Sequence, residues 1–542
     1  MRLTVGSILK RMTRRTNLNV NQQCGVYHRL PLHAPSPLSS CPLLSVSGEA
    51  DKSTRFCLGL RQSITSVCHH PSRSMPRLAM RSPTPRGSDS SDEDEQDNWP
   101  TSTQTMATAR AFIQECAAAR LPTLLLPDKD ADGLCSALIL HHTLTALGLP
   151  PALIHTHFVA KGANVHAPAE RARLKELVPR PRFVLVADQG SRAGPAILPG
   201  EGEEEEARTL IVDHHLAEGF PQGATVLSAA RCDPVATSST LAYLLCEPLV
   251  RGVASKEVRE RMEWLCVLGT MGDLGAGHKW ERPWPDMSAC ARRWTKKALG
   301  EAVALVNAPR RTAQYDVRTA WEALLACGPA QIVSGASGNM HIRRLHEARV
   351  EIRTETERCG HTAPTFSGDG RVALVRIQSE AQVHPLIATR WASTLKSARL
   401  QIVICGNGAY LPGAGMTNFA CRIARCALPS PAAKGTSSSS KRKSVGTGNE
   451  DKCGERAGGE INIPDILREY ASRVSGLTES MGEDFARGHA QASGGIVKDE
   501  DFERLWQVMR DSQADDSGPP RKRKKIETVQ MNTLEGWIKR RE

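Results

Sequence analysis

Four acid-bearing segments, each behind an apolar stretch, constrain this 542-residue chain more than any other feature. Pro127-Asp128-Lys129-Asp130-Ala131-Asp132-Gly133 follows the apolar Leu124–Leu126. Val184-Leu185-Val186-Ala187 runs into Asp188, and Ile211-Val212 runs into Asp213-His214-His215. Gly269-Thr270-Met271-Gly272-Asp273 closes a helix-like stretch. β-type runs at Leu121–Leu126, Ala152–His155, Phe183–Ala187, Leu210–Val212 and Thr225–Leu227 alternate with helical patterns at 134–147, 237–246 and 256–271. Strands alternating with helices predict an α/β fold with a parallel sheet. Ligands of such a sheet bind outside the carboxyl ends of its strands, so the four segments are expected to converge.

Taken singly, each segment has a plainer reading. An Asp behind a strand is a helix N-cap, Asp132-Gly133 is a turn, and a His-His pair belongs to core or surface. All four in this order favour a metal centre. Oxygen and imidazole donors suit Mn²⁺, Mg²⁺ or Zn²⁺, and the absence of Cys from the segments argues against a softer ion. Two such ions ~4 Å apart would activate water and stabilise both oxygens of an in-line phosphoryl displacement.

DKDADG, VADQG, IVDHH and GTMGD resemble the ordered motifs of the DHH phosphoesterase superfamily, whose triplet stands here as Asp213-His214-His215. The resemblance covers roughly residues 106–285. A second one lies in Gly488-His489-Ala490-Gln491-Ala492-Ser493-Gly494-Gly495, similar to the GGHxxAAG signature of the DHH-associated domain of RecJ-type exonucleases and small-oligonucleotide ribonucleases. The resemblance implies that Asp188 bridges two Mn²⁺ or Mg²⁺ ions, that Asp130, His214 and Asp273 complete one site, and that Asp128 contributes to the other. It gives His215 a catalytic place beside the scissile phosphate, and it gives Asp132 the ordering of its loop. Gly488, His489, Ser493 and Arg422 would grip a phosphate or terminal nucleotide, a task suited to a forked guanidinium. The plainer reading of Arg422 is a surface salt bridge. The chain departs from the family at Leu124 and Leu126, where many members carry a His two or four residues before the first motif Asp.

These motifs set the expected organisation. Residues 1–104 form a disordered leader and acidic linker, 105–285 the metal-binding catalytic domain, and 286–365 a mostly helical, polar connector. Residues 366–510 form a smaller α/β associated domain, interrupted by a disordered insertion at 428–459, and 511–542 form a tail. In the second unit, strands are expected at 371–377, 400–404 and 417–424, and helices at 384–396 and 463–474.

Charge separates the ends from the body. Residues 1–80 carry 11 basic and two acidic side chains, and residues 521–542 carry eight and three, so a total of +12 leaves −2 for residues 81–520. Nucleic-acid affinity of the body must then come from local sites rather than a global positive field. The Arg- and Ser-rich, acid-poor leader reads as a mitochondrial presequence or as a disordered extension. Asp89 through Asp97 is a solvated linker, with Ser88, Ser90 and Ser91 as phosphorylation sites in a second reading. Arg521-Lys522-Arg523-Lys524-Lys525 reads as a nuclear localisation signal or, more blandly, as a solvated charge run. Met531, Leu534, Trp537 and Ile538 are spaced like a peptide that docks on the replicative sliding clamp, the plainer reading being a frayed amphipathic end. No apolar run reaches the ~20 residues of a membrane span.

Three functions compete on this evidence. One is a metal-dependent, RecJ-like exonuclease acting on single-stranded nucleic acid in replication or repair. Another is a phosphodiesterase for short oligonucleotides or cyclic dinucleotides, favoured by an aromatic content of only 4%, since long single strands need stacking platforms. The third is a catalytically inactive scaffold that binds nucleic acid and the clamp, motivated by Leu124 and Leu126.

Overall fold

The structure, a computed structural model, describes residues 99–200, 206–336, 338–428, 461–482 and 485–513. The leader, the acidic run, almost all of the 428–459 insertion and both tail motifs lie outside these residues.

The first half is α1 (Thr103–Ala119), β1 (Thr123–Pro127), α2 (Ala131–Ala146), β2 (Ile154–Thr156), α3 (Pro168–Lys175), β3 (Phe183–Ala187), β4 (Arg208–Asp213), β5 (Thr225–Ser228), α4 (Ser238–Val250) and α5 (Lys256–Leu274). Its five strands make one parallel sheet in the order β2-β1-β3-β4-β5. β1 and β3 are buried along their whole length, as a parallel sheet covered on both faces requires. Successive side chains go to opposite faces. Leu125, Leu185, Leu210 and Val212 enter the large core shared with α1, α2, α4 and α5. Leu124, Leu126, Val184, Val186 and Ile211 enter a smaller core with Val159, Val165, Ile197 and Leu198. Leu124 and Leu126 are thus packing residues of that second face.

The stretch expected to be a polar connector forms α6 (Ser288–Trp294), α7 (Lys296–Val306), α8 (Val317–Ala326), α9 (Pro329–Ser334) and α10 (Met340–Cys359). It is helical but amphipathic rather than simply polar. Leu299, Leu305, Trp321, Leu324, Ile342 and Leu345 are buried in the same core as the first sheet's helices. Charged residues occupy the outer faces of these helices, which is why the composition reads as polar.

The second half is β6 (Thr365–Phe366), β7 (Val372–Ile377), α11 (His384–Thr394), β8 (Ile402–Asn407), β9 (Met416–Ile423), α12 (Ile463–Ala471), α13 (Leu477–Met481), β10 (Arg487–His489), β11 (Ala492–Lys498) and α14 (Asp499–Asp511). Its mixed sheet runs β10-β11-β9-β8-β7-β6, with only β7 and β8 parallel. The glycine-bearing GHAQASGG segment supplies most of the β10–β11 pair, which the sequence does not announce because glycine is a poor strand former. Behind it, α14 presses Phe502, Leu505, Trp506 and Met509 onto the sheet at helical spacing.

Side chains hold the two halves together. Lys161 Nζ donates to the carbonyls of Ala313, at 3.3 Å, and Glu380, at 2.7 Å. The same ammonium lies 4.6 Å from the centre of the Tyr410 ring. A backbone bond adds to them, the main-chain N–H of Gln382 donating to the Arg311 carbonyl at 2.7 Å.

Candidate metal centre

The parallel ladder itself brings the acids together. Pro127 lies beside Ala187, and Ala187 beside Val212. The ladder continues one step further: the Asp128 amide donates to the Ala187 carbonyl and the Asp188 amide to the Val212 carbonyl, each at 2.9 Å. Asp128, Asp188 and Asp213 therefore stand in a row at the carboxyl ends of β1, β3 and β4, about one strand spacing apart. Asp188 adopts φ +62°, a left-handed conformation sparse for a residue with a Cβ, and this turns the chain away from the sheet end.

The acids behind β1 have divided tasks. Asp130 is the N-cap of α2, and its Oδ1 accepts from the amides of Asp132 (3.2 Å) and Gly133 (3.3 Å). Asp132 is fully buried and accepts from the amides of Ser238 (2.8 Å) and Ser239 (3.0 Å), which fixes the start of α4 against α2. Gly133 and Gly269 are forced by proximity. A Cβ on Gly133 would lie 2.6 Å from the Asp128 carbonyl oxygen, and one on Gly269 only 1.9 Å from Ser239 Oγ. The fourth segment lies on α5, so Asp273 reaches the site from the last turn of a helix rather than from a strand end.

Three overlapping sets of donor atoms result. Asp188, His214 and His215 form one triplet, and Asp132, His214 and Asp273 another. Asp128, Asp130 and Asp188 form the third; within each, the donor atoms lie within 4.8 Å of one another. His214 Nε2 is 3.3 Å from Asp188 Oδ1 and 3.2 Å from Asp273 Oδ2. Ser238 Oγ donates to Asp188 Oδ1 at 2.9 Å. His215 Nδ1 donates to Asp213 Oδ1 at 2.7 Å, and Asp213 also accepts the amides of Ser191, His214 and His215.

Burial and crowding set the protonation of these groups. Burial raises the Asp188 carboxyl well above the ordinary carboxylate range, and the Asp132 charge adds to it. Burial and the charge of Asp273 push Asp132 up to about 7. Burial alone would also raise Asp213, but its bond to His215 outweighs that and holds it at about 2. Burial opposes a charged His214, yet the hydrogen bonds to Asp188 and Asp273 lift it far above an ordinary imidazole. Six carboxylates share the site with Lys129 and Arg310, the only lysine and arginine ion-paired to them among the described residues. A divalent cation fits this donor set of carboxylate oxygens and imidazole nitrogen.

The cleft above the site has a volume of about 410 Å³. Asp128, Lys129, Asp188, Asp213 and His215 form its floor, and Tyr410, Asn418, Gly488, Gly494 and Gly495 of the second half close it. Gly488 reaches the cleft from β10 with φ +118°, and a Cβ there would meet the Ala492 carbonyl at 2.5 Å. Arg422 and Ser493 are neighbours of the cleft on β9 and β11 but do not line it. Arg422 donates to the Cys421 carbonyl at 2.7 Å and has no carboxylate partner among the described residues. The His489 side chain lies outside the described set, although its backbone pairs with Ala492.

Sequence reasoning missed Lys129, Arg310, Ser238 and the anchoring task of Asp213. Lys129 and Asp213 were inside the quoted motifs, and Thr237-Ser238 carries the signature of a helix N-cap. Arg310 carried no local signal.

Compared with known proteins, residues 123–270 match the DHH family, N-terminal domain. No curated protein matches the chain. Among solved structures, RecJ of Thermus thermophilus in complex with Mn²⁺ aligns at 16% identity and a TM-score of 0.49, over 75% of this chain and 54% of its own. This chain thus spans about half the length of that relative. An exonuclease RecJ bound to manganese aligns at 16% identity and a TM-score of 0.46, over 75% of this chain and 93% of its own. CDC45 from Entamoeba histolytica aligns at 8% identity and a TM-score of 0.41, over 75% and 98%.

Proposed function

From the chain's membership of the DHH superfamily, carried by residues 123–270, we propose that it is a metal-dependent phosphodiesterase that cleaves single-stranded nucleic acid from an end. The observation that carries this reading is the convergence of Asp128, Asp130, Asp188, His214 and Asp273 at the ends of three adjacent strands and one helix. His214, Asp188 and Asp273 would hold Mn²⁺ or Mg²⁺, with Asp128 and Asp130 beside them. Such an ion supplies Lewis-acid charge at a phosphoryl oxygen and makes attack by water feasible near neutral pH.

The chain's own residues supply the rest. Asp213 ties down Nδ1 of His215, so the imidazole keeps one orientation beside the cleft and serves as a donor to a phosphoryl oxygen. Asp132 would serve to order the site rather than to react, since its two oxygens accept the amides of Ser238 and Ser239 at the start of α4. The second half covers the cleft, and its glycines let backbone approach the substrate closely. Arg422, half-buried and without a carboxylate partner among the described residues, is a candidate to engage a terminal phosphate that extends beyond the cleft.

A dual-end-labelled single strand and a dinucleotide, each incubated with the full chain and Mn²⁺, test the reading. Wild type should hydrolyse at least one of them, and Asp188→Ala and His214→Ala should lose activity on both. Preference for the dinucleotide would favour the short-substrate enzyme, a reading supported by the limited volume of the cleft. Binding without hydrolysis in wild type would favour the scaffold. The basic cluster Arg521–Lys525 and the clamp-like Met531–Ile538 belong to this reading as a nuclear address and a docking peptide, and the leader as a rival mitochondrial address. Imaging of the tagged full chain with and without each segment separates these.

A further inference from the structure

The two sides of the metal centre differ in the company their carboxylates keep. Asp188 and Asp273 have no lysine or arginine partner among the described residues, and the donor that joins them is the His214 imidazole. On the other side, Asp128, Asp130 and Asp188 offer three carboxylates and no imidazole. There, Lys129 Nζ sits 2.9 Å from Asp128 Oδ1, and Arg310 Nη2 sits 3.6 Å from Asp130 Oδ2. Both cations are sheltered, with side chains 27% and 11% exposed.

Arg310 is held in place by its other contacts. Its Nε donates to Asn307 Oδ1 and its Nη1 to Gln382 Oε1, both at 3.1 Å. The same Asn307 oxygen accepts the Ala131 amide at 3.2 Å, so the guanidinium is tied to the backbone of the acidic loop it faces. β1 can add no further donor, since Leu124 and Leu126 are packed into the smaller core. A divalent ion on Asp128 and Asp130 would stand against two positive charges at short range, that of Arg310 held in place, in a sheltered site where Coulomb repulsion is weakly screened.

We propose that Lys129 and Arg310 take the place of a second metal ion: the chain holds a single divalent ion, on His214, Asp188 and Asp273, while protein cations serve the Asp128–Asp130 side. The inference rests on the metal-dependent reading above and deepens it. Lys129 lines the cleft, so its ammonium brings to a phosphoryl oxygen the positive charge that a second ion would bring in a two-ion site. A lysine suits that duty as a compact point charge with three donors.

Metal stoichiometry tests this without reference to turnover. The full-length chain is saturated with Mn²⁺, freed of excess ion, and analysed by elemental analysis and low-temperature electron paramagnetic resonance. Wild type should hold one Mn²⁺ per chain with an uncoupled spectrum. Lys129→Met or Arg310→Met, checked for folding by circular dichroism, should take up a second ion at least roughly tenfold more tightly than wild type. The two ions should then give a spin-coupled spectrum through the shared Asp188. Two coupled ions in wild type would overturn the proposal and leave the metal-dependent reading intact. One ion in wild type and in both variants would also overturn it, because the cations would then not be what excludes the second. No bound Mn²⁺ at all would overturn both.

Discussion

Asp213 receives more hydrogen bonds than any other acid at the site, and none of its donors is a proposed metal ligand's side chain. Three are amides, of Ser191, His214 and His215, and the fourth is the His215 ring. Its low pKa, near 2, keeps it ionised at every pH at which a metal centre with carboxylate ligands can operate. Asp213→Asn keeps the shape but weakens the hold on Nδ1 and frees the imidazole tautomer. The expected result is a kcat lowered by about 10–100-fold with unchanged Mn²⁺ stoichiometry, measured by steady-state hydrolysis beside elemental analysis. An equal loss of bound ion would instead make Asp213 part of the metal site.

Among the elements, α2, α4 and α5 meet behind the sheet at van der Waals distance, and their glycines record how close. Gly269 of α5 faces Ser239 at the start of α4, and Asp132 of α2 lies 3.0 Å from where its Cβ would be. Gly269→Ala should therefore destabilise the chain by about 1–3 kcal/mol, read as a lower urea midpoint, and weaken Mn²⁺ binding because Asp273 lies one turn further along the same helix. At this scale the sequence was most legible where pattern and environment agree. β1, β3 and β4 are apolar runs that end in an acid, and a parallel strand buried on both faces has little choice but to look so. It was least legible where glycine or distance hides the cause. β10 and β11 are strands despite their glycines, because β9 is there to pair with β11, and β11 in turn with β10. Arg310 reads as an ordinary basic residue in a Pro-Arg-Arg turn, and only the folded chain brings it to Asp130, far upstream.

For the molecule as a whole, the cleft exists because the second half is clamped to the first, and Lys161 is a principal clamp. It bridges a loop of the first half to the carbonyls of Ala313 and Glu380 and to the Tyr410 ring. Lys161→Met should loosen the cover of the cleft by about 1–2 kcal/mol. The expected signature is a raised KM for oligonucleotides with Mn²⁺ stoichiometry unchanged. A parallel loss of kcat and bound ion would place the lysine in the site instead. The same half carries one more property. β11 pairs with β9 from Arg422 to Met416, and the Ile463 amide donates to the Ala490 carbonyl at 2.9 Å. Both flanks of the 428–459 stretch are thus anchored beside one strand pair, whatever lies between. Lengthening a loop between fixed anchors is cheap, about 0.6 kcal/mol per doubling. That makes the stretch a natural port. A fluorescent domain grafted there, or a break that yields two co-expressed fragments, should leave Mn²⁺ uptake unchanged, and the chain could carry a reporter at this position without touching either end.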